Sequence, residues 1–588
     1  MKLTGGEIVL KQLVAEGVPY VAGIPGHGCL ALFDAIRREE AAGNIKYIQV
    51  KHEQSAAALA DGYYRVKGEP LAVFASIGPG TLNLSIGLGN AYVDSTAFLA
   101  LCGDTHVHMK GTGVLQEIER YQDSNVIRSL EPLAKRSWRA ESTRQLPRML
   151  RRAFQQMKQG RPGPCVVALP MDVQAEALDY TPMPAPKPES LPCADDATIQ
   201  RAIELMKTAK RPVILAGGGA LQARAGELIV ELAETWGAAV ITTLAGKGTV
   251  VETHPQYGFH TGSKGTAIGL ELTRNADVVL AVGTRFADET TCSYRKGAAF
   301  NFPDTKLIHI DMDAGELGKN YYADIAVPAD LCDSLRRIAT QGKFKKNSAY
   351  LAEITQLRAN WFTYLKEVRT KETEMLTISQ LTGILNETLP EDTIIATSSG
   401  NTQAQLFQEY CYQNAYCNLT TGGFSTMGWA VPAAMGAKLA APDQPVIAFL
   451  GDGDFMMTMQ ELSTIAQYDI PVVIVLADNS GWMAIKDLQI DALGGETAFG
   501  NDFAPGTDFA AIAEAFGVKA WRANTQQGVK DALKEAIASG KPGFIHIDVC
   551  REHPNSGGKA FGWWDVPIPT YLEEKRAAYE QAIEEEQV

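Results

Sequence analysis

The sequence predicts three α/β domains, each built on a parallel β-sheet. Three observations carry this expectation. Short apolar runs alternate with amphipathic helical stretches in three successive blocks of the 588-residue chain. A Pro-rich stretch, TPMPAPKP at 181–188, and a charged helical stretch at 347–372 separate the blocks. No short-period repeat competes with the alternation.

The first domain is expected over 1–180, with strands at 20–24, 47–50, 71–75, 98–101 and 165–169 and a helix over 53–66. The central domain is expected over 190–345, with strands at 212–216, 239–242, 278–282 and 306–310. The third is expected over 375–555, with strands at 393–396, 446–450, 472–476 and 543–548, followed by an acidic, mostly helical tail within 556–588. In open parallel sheets ligands sit beyond the carboxyl ends of the strands, so the loops after these runs are where chemistry is sought.

Composition narrows the function classes. The chain is 46% hydrophobic and 21% charged, an ordinary globular balance. Its net charge of −14, without basic blocks, argues against nucleic-acid and anionic-membrane partners. Nine cysteines without any C-x-x-C pair read as reduced thiols, and a cytoplasmic location is expected. The opening MKLTGGEIVLKQLVAEG reads as an amphipathic helix rather than a signal peptide, and the longest apolar runs are too short to span a membrane.

The most specific feature is Gly451-Asp452-Gly453 directly after the run 446–450, followed by Asp478-Asn479 at the end of the next run. The spacing, 479 − 452 = 27, covers one helix and one strand. Two adjacent strand ends then place a carboxylate and an amide oxygen side by side. Hard oxygen ligands beside a helix N-terminus suit Mg²⁺ bridging a diphosphate, and the glycines allow the backbone to approach it.

This motif pair resembles that of the thiamine-diphosphate (ThDP) enzymes. The resemblance implies that Asp452, Asn479 and the residue at Gly481 hold Mg²⁺. It places Gly451, Gly453, Asp454, Trp482 and Met483 about the cofactor. It also calls for a glutamate after the second strand of the first domain, and Glu53 stands there. A carboxyl group at N1′ of the aminopyrimidine favours the imino tautomer that accepts the C2 proton. The segment Gly422–Gly428 is similar to the family stretch in which Met427 supports the bent cofactor and Ser425 offers a carbonyl to the 4′-amino group. Ser399-Gly400-Asn401-Thr402 resembles the diphosphate-contacting loop.

The likeness extends over nearly the whole chain. Gly23-Ile24-Pro25-Gly26, Ser76-Ile77-Gly78-Pro79-Gly80, Gly160–Pro164, Arg285-Phe286 and His309–Asp313 recur in acetohydroxyacid synthases and their relatives. Leu115-Gln116-Glu117 matches the substrate-side glutamine motif of that enzyme. A homodimer or homotetramer is implied, because the family builds each site between subunits. Small 2-oxo acids or diketones are the implied substrates.

Two departures keep a second reading open. Leu488 stands where acetohydroxyacid synthase places a tryptophan, and the flavin region around Arg285 lacks a second arginine. Gly26-His27-Gly28, Gly246–Val250, and Trp563-Trp564-Asp565-Val566-Pro567 look like the trihydroxycyclohexanedione hydrolases, and cyclohexane-1,2-dione hydrolase also has a histidine near the position of His27. A histidine beside the cofactor suits proton transfer in ring opening. Gln116 and His27 are therefore the candidates for substrate hydrogen bonding and proton movement. In the central domain Gly217-Gly218-Gly219, Arg161, Arg285 and Asp311 match positions used by flavin-binding relatives, which leaves FAD, ADP or an empty domain open. The rival classes are an inactive binding scaffold and a flavin oxidase resembling pyruvate oxidase.

Overall fold

The computed structural model describes residues 2–119, 126–186, 190–495, 497–504, 506–551 and 566–586. The Trp563–Asp565 part of the hydrolase-like motif lies outside them. Three six-stranded sheets organise the described chain, and every strand pair within them is parallel.

The first sheet runs Lys46–Gln49, Tyr20–Gly23, Ala72–Ala75, Leu99–Asp104, Cys165–Pro170, Arg136–Arg139. The third runs Asn418–Thr420, Ile394–Thr397, Val446–Gly451, Val472–Asp478, Gly543–Asp548, Lys519–Arg522. Numbered within each domain, both have the order 2-1-3-4-6-5. The central sheet runs Tyr257–His260, Ala239–Thr242, Pro212–Ala216, Val278–Val282, Lys306–Asp311, Ile325–Pro328, which is 3-2-1-4-5-6, the dinucleotide-fold order. The order reverses beside the first strand of each sheet. Those switch points open onto the loops at 24–29 and 76–80, at 398–402 and 451–454, and at 217–219 and 283–285.

The opening residues read as helix begin instead with a strand, Lys2–Thr4, paired antiparallel with Ala177–Asp179 outside the three sheets. Within the three sheets five strands escape sequence reading: Arg136–Arg139, Tyr257–His260, Ile325–Pro328, Asn418–Thr420 and Lys519–Arg522. All five are sheet edges. Edge strands are short and carry charge or Pro: RSWR and KAWR lack the apolar run that marks a central strand, and IAVP is apolar but only four residues long and ends in Pro.

The first and third domains share one continuous apolar core, and the central domain has its own. The junction is a helix pair, Glu53–Lys67 on Ala430–Ala440. A Cβ on Gly62 would lie 2.2 Å from the Ala433 carbonyl oxygen, and one on Gly436 would lie 1.9 Å from that of Leu59. Only glycine lets the two backbones touch there. A buried polar staple crosses the same junction. The Arg65 guanidinium pairs with Asp61 and Asp94, donates to the Thr420 carbonyl and lies over the Trp429 ring, whose Nε1–H donates to Asp61.

The helix Ser348–Thr370 packs Tyr350, Ile354, Trp361 and Leu365 into the central core, which explains why the charged connector is ordered. Among the described residues no helix is long and apolar enough to cross a membrane.

Candidate active site

The third-domain half of the site lies at the carboxyl ends of Val446–Gly451 and Val472–Asp478, which pair through Gly451 and Ala477. Asp452 begins the helix Asp452–Met456 and is buried. Its Oδ2 accepts the Gly481 N–H (2.9 Å). The Asn479 side-chain amide lies 3.3 Å from Asp452 Oδ1 and 3.1 Å from the Gly481 carbonyl oxygen. With its nitrogen inward, the amide donates to both. With its oxygen inward, three oxygens converge, an arrangement that only a cation makes favourable. Carboxylate, amide and backbone carbonyl are the donor set of a hard divalent ion, so these residues fit Mg²⁺.

The electrostatics agree with a place prepared for positive charge. Burial, then the neighbouring Asp478 carboxylate, pushes Asp452 up to about 7. Asp478 is held below its ordinary value: burial raises it, but the His546 hydrogen bond and the Ser480 N–H outweigh burial. Burial alone drives Asp454 up to about 7. Its carboxylate turns inward to accept the Gly428 N–H, so the side chain ties two loops together and leaves the backbone as its face toward a ligand.

The remaining third-domain candidates assemble around this centre. Ser425, in the left-handed region at φ 54°, donates its hydroxyl to Ser399 Oγ (2.8 Å), which joins the 399–402 and 422–428 segments. Gly400 has φ 127°, a conformation suited to glycine, and precedes the helix Asn401–Glu409 with Thr402 buried at its start. Met427 is half-buried between them. A Cβ on Gly453 would lie 2.3 Å from the Trp482 ring, so that glycine makes room for the indole. Met483 is buried against Gly481.

The first-domain half gathers on the loop after Ala72–Ala75. Glu53 starts its helix, where His52 Nδ1 caps the Gln54 N–H, and the side-chain amide of Asn83 donates to Glu53 Oε2 (2.9 Å). A Cβ on Gly80 would lie 2.9 Å from Glu53 Oε1. A Cβ on Gly78, itself at φ +61°, would lie 2.3 Å from the Gln116 carbonyl oxygen. Gly28, beside His27, donates its N–H to Ser76 Oγ (3.3 Å). The 76–80 loop thus brings together Glu53, the Gln116 backbone and the turn bearing His27. Gln116 is exposed on the single chain, with Leu115 72% and Ile118 53% exposed on either side.

The central switch point opens into a cavity of about 530 Å³, lined among others by Gly218, Gly219, Arg285 and Asp311. Gly217 and Gly219 lie against Gly283, so they serve loop packing. Arg161 donates to Glu316 (2.8 Å) and to the Val93 carbonyl, and Arg285 donates to that same carbonyl. Burial raises Asp311 to about 6. Size and position fit a nucleotide. The Arg161 charge is already paired within the chain.

Sequence reasoning named Asp478 only as the neighbour of Asn479 and passed over His546 and the Asn83 partner of Glu53. A histidine inside an otherwise apolar terminal strand was the available signal for His546.

Two half-sites at the switch points of two like-ordered domains, one with a buried glutamate and one with a carboxylate, an amide and a backbone carbonyl side by side, make up the candidate active site. The comparisons agree. The chain matches the thiamine pyrophosphate enzyme N-terminal TPP binding domain over residues 3–124, the central domain over 199–338 and the C-terminal TPP binding domain over 398–547. The chain belongs to the thiamine pyrophosphate enzymes, and within them to the acetolactate synthase type. It is 34% identical to the probable acetolactate synthase large subunit of Methanocaldococcus jannaschii, covering 93% of this chain and 92% of that one. Identity is 32% to the probable acetolactate synthase large subunit of Methanococcus aeolicus, over 98% and 100% of the two chains. It is 30% to the acetolactate synthase isozyme 1 large subunit of Escherichia coli, over 94% and 95%.

Proposed function

We propose that this enzyme joins small 2-oxo acids by decarboxylation and carboligation, as the names of its acetolactate synthase relatives suggest. The observation that carries the reading is the convergence of Asp452, Asn479 and the Gly481 carbonyl at the ends of adjacent strands. These three would hold Mg²⁺, and Gly451, Gly453, Asp454, Gly400, Asn401 and Thr402 would hold the diphosphate. Bound ThDP would supply a nucleophilic carbon and an electron sink for decarboxylation of a 2-oxo acid.

The chain's own residues do the rest. Glu53 holds the proton at N1′, and its bond from Asn83 fixes which oxygen faces the ring. Ser425 would offer its carbonyl to the 4′-amino group, and Met427 would support the cofactor from below. Gln116 and His27 orient the substrate carbonyls and move protons. Trp482 and Met483 wall the pocket. Because Gln116 stands exposed on one chain, a second copy is needed to enclose it, as a homodimer or a homotetramer of such pairs. The central cavity takes FAD or ADP in a structural role, since carboligation has no net redox change. The domain limits near 180, 190–345 and 375–555 and a cytoplasmic location complete this reading.

The ring-opening reading stays as the second, because the turn bearing His27 is anchored to Ser76 on the same loop that reaches Glu53. One experiment separates them: mass spectrometry of products from pyruvate, with and without a cyclic 1,2-diketone, in ThDP and Mg²⁺. A condensed 2-hydroxy-3-oxo acid from pyruvate alone is expected. Ring-opened acid from the diketone with no condensed product would overturn the carboligase. Neither product from enzyme that binds Mg²⁺–ThDP would favour the scaffold.

A further inference from the structure

The turn that presents the oxygens of Asn479 and Gly481 is itself held from behind. Ser480 has φ 57°, in the left-handed region that a serine adopts only when its surroundings require it. Asp478 Oδ1 accepts the Ser480 N–H (2.9 Å), which fixes that turn, and Asp478 Oδ2 contacts His546 Nε2 (2.9 Å). His546 comes from the neighbouring strand Gly543–Asp548, where it stands opposite Leu476, two residues before Asp478 on the same face. Its ring is edge-on to Phe509, with centroids 5.6 Å apart, and the residue is 9% exposed. A packed imidazole thus grips one oxygen of a carboxylate whose other oxygen shapes the ligand-bearing turn.

We propose that His546 is a positioning residue for the divalent cation: through Asp478 it holds the 479–481 turn so that the Asn479 amide and the Gly481 carbonyl face Asp452. The inference rests on the metal assignment above. Partners standing behind metal ligands typically tune affinity about 10–100-fold. Asp548 completes a triad with His546 and Asp478 whose ligand atoms lie within 4.8 Å of one another. Asp548 is already engaged by the Asn524 amide (2.9 Å), and it stands 3.7 Å from His546 Nε2.

The test is a Mg²⁺ titration by calorimetry of the full chain at saturating ThDP. His546→Val removes the donor and should weaken Mg²⁺ binding about 10–100-fold. His546→Gln, which keeps an N–H toward Asp478, should recover most of the loss, and His546→Phe covers the case in which the valine variant fails to fold. Thermal midpoints of the metal-free variants should stay near wild type. Equal affinity in the wild-type and donor-less variants would overturn the proposal, as would a glutamine variant as weak as the valine one. Two Mg²⁺ per chain falling to one in His546→Val would also overturn it, by making the triad a ligand set in its own right. Asp452→Ala, titrated in parallel, separates the two levels. If it binds Mg²⁺ normally, the metal assignment has failed. If it loses Mg²⁺ while His546→Val keeps it, only the positioning role has failed.

Discussion

Two buried polar clusters in this chain differ in what they still lack. In the first, Lys247 is fully buried and donates to Glu252 (2.8 Å) and to the Tyr410 carbonyl (2.8 Å). Glu252 also accepts from the Tyr257 hydroxyl, from the Gly248 N–H and from the Tyr412 N–H, while His260 meets Thr242 Oγ1 and the Phe407 carbonyl. Burial, then the Lys247 cation, pushes His260 well below its ordinary value and keeps it neutral. The charges close on one another. In the second cluster the Asp452 and Asp478 carboxylates are neighbours, the Asn479 amide stands between Asp452 and the Gly481 carbonyl, and the His546 imidazole is spent on Asp478. A saturated network holds architecture; two neighbouring carboxylates without a cation among their described side-chain partners match the metal-binding role proposed above.

The sharpest way to break this contrast is Asp452→Asn. Mg²⁺-dependent ThDP binding should vanish, yet the metal-free protein should gain about 1 kcal/mol, because a buried carboxylate beside Asp478 is neutralised. A metal-free midpoint that falls instead would make the second cluster as architectural as the first. Glu53→Gln should leave ThDP bound and slow its C2–H exchange, followed by proton–deuterium NMR, by about 10²–10⁴-fold. Lys247→Met should do the opposite of Asp452→Asn. It should cost about 3–5 kcal/mol in denaturant unfolding, by stranding Glu252, with Mg²⁺ affinity unchanged in the protein that remains folded. The smallest effect concerns Asp311. Its folded value, raised to about 6, favours the protonated native state, so its contribution is present below the unfolded carboxylate range and is lost as pH rises through about 6. Asp311→Asn should flatten that decline by about 1 kcal/mol or less after solvent screening, read as the pH dependence of the thermal midpoint.

Much of this was legible in the sequence because buried parallel strands are short apolar runs ending in a loop. The run 446–450 with Gly451-Asp452-Gly453, and the run ending in Asp478-Asn479, mark two strand ends by themselves. Of the six edge strands only Lys46–Gln49 was legible: RSWR and KAWR pair on one side only and need no apolar pattern. Nor was the inward turn of Asp454, since a carboxylate in a glycine-rich turn reads as exposed until Gly428 is placed over it. The Asn83–Glu53 and His546–Asp478 bonds join residues 30 and 68 positions apart, a distance at which residue type alone says nothing of pairing.

The Gly62 and Gly436 contact carries one more consequence. Because it fuses the first and third sheets around a common interior, the polypeptide leaves that body after the first sheet, builds the central unit, and returns to finish what it began. Topologically the central unit is an insert in a single two-lobed module. It cannot leave unnoticed: without Lys247 and Glu252, the Tyr410 carbonyl and the Tyr412 N–H on the parent module would stand bare.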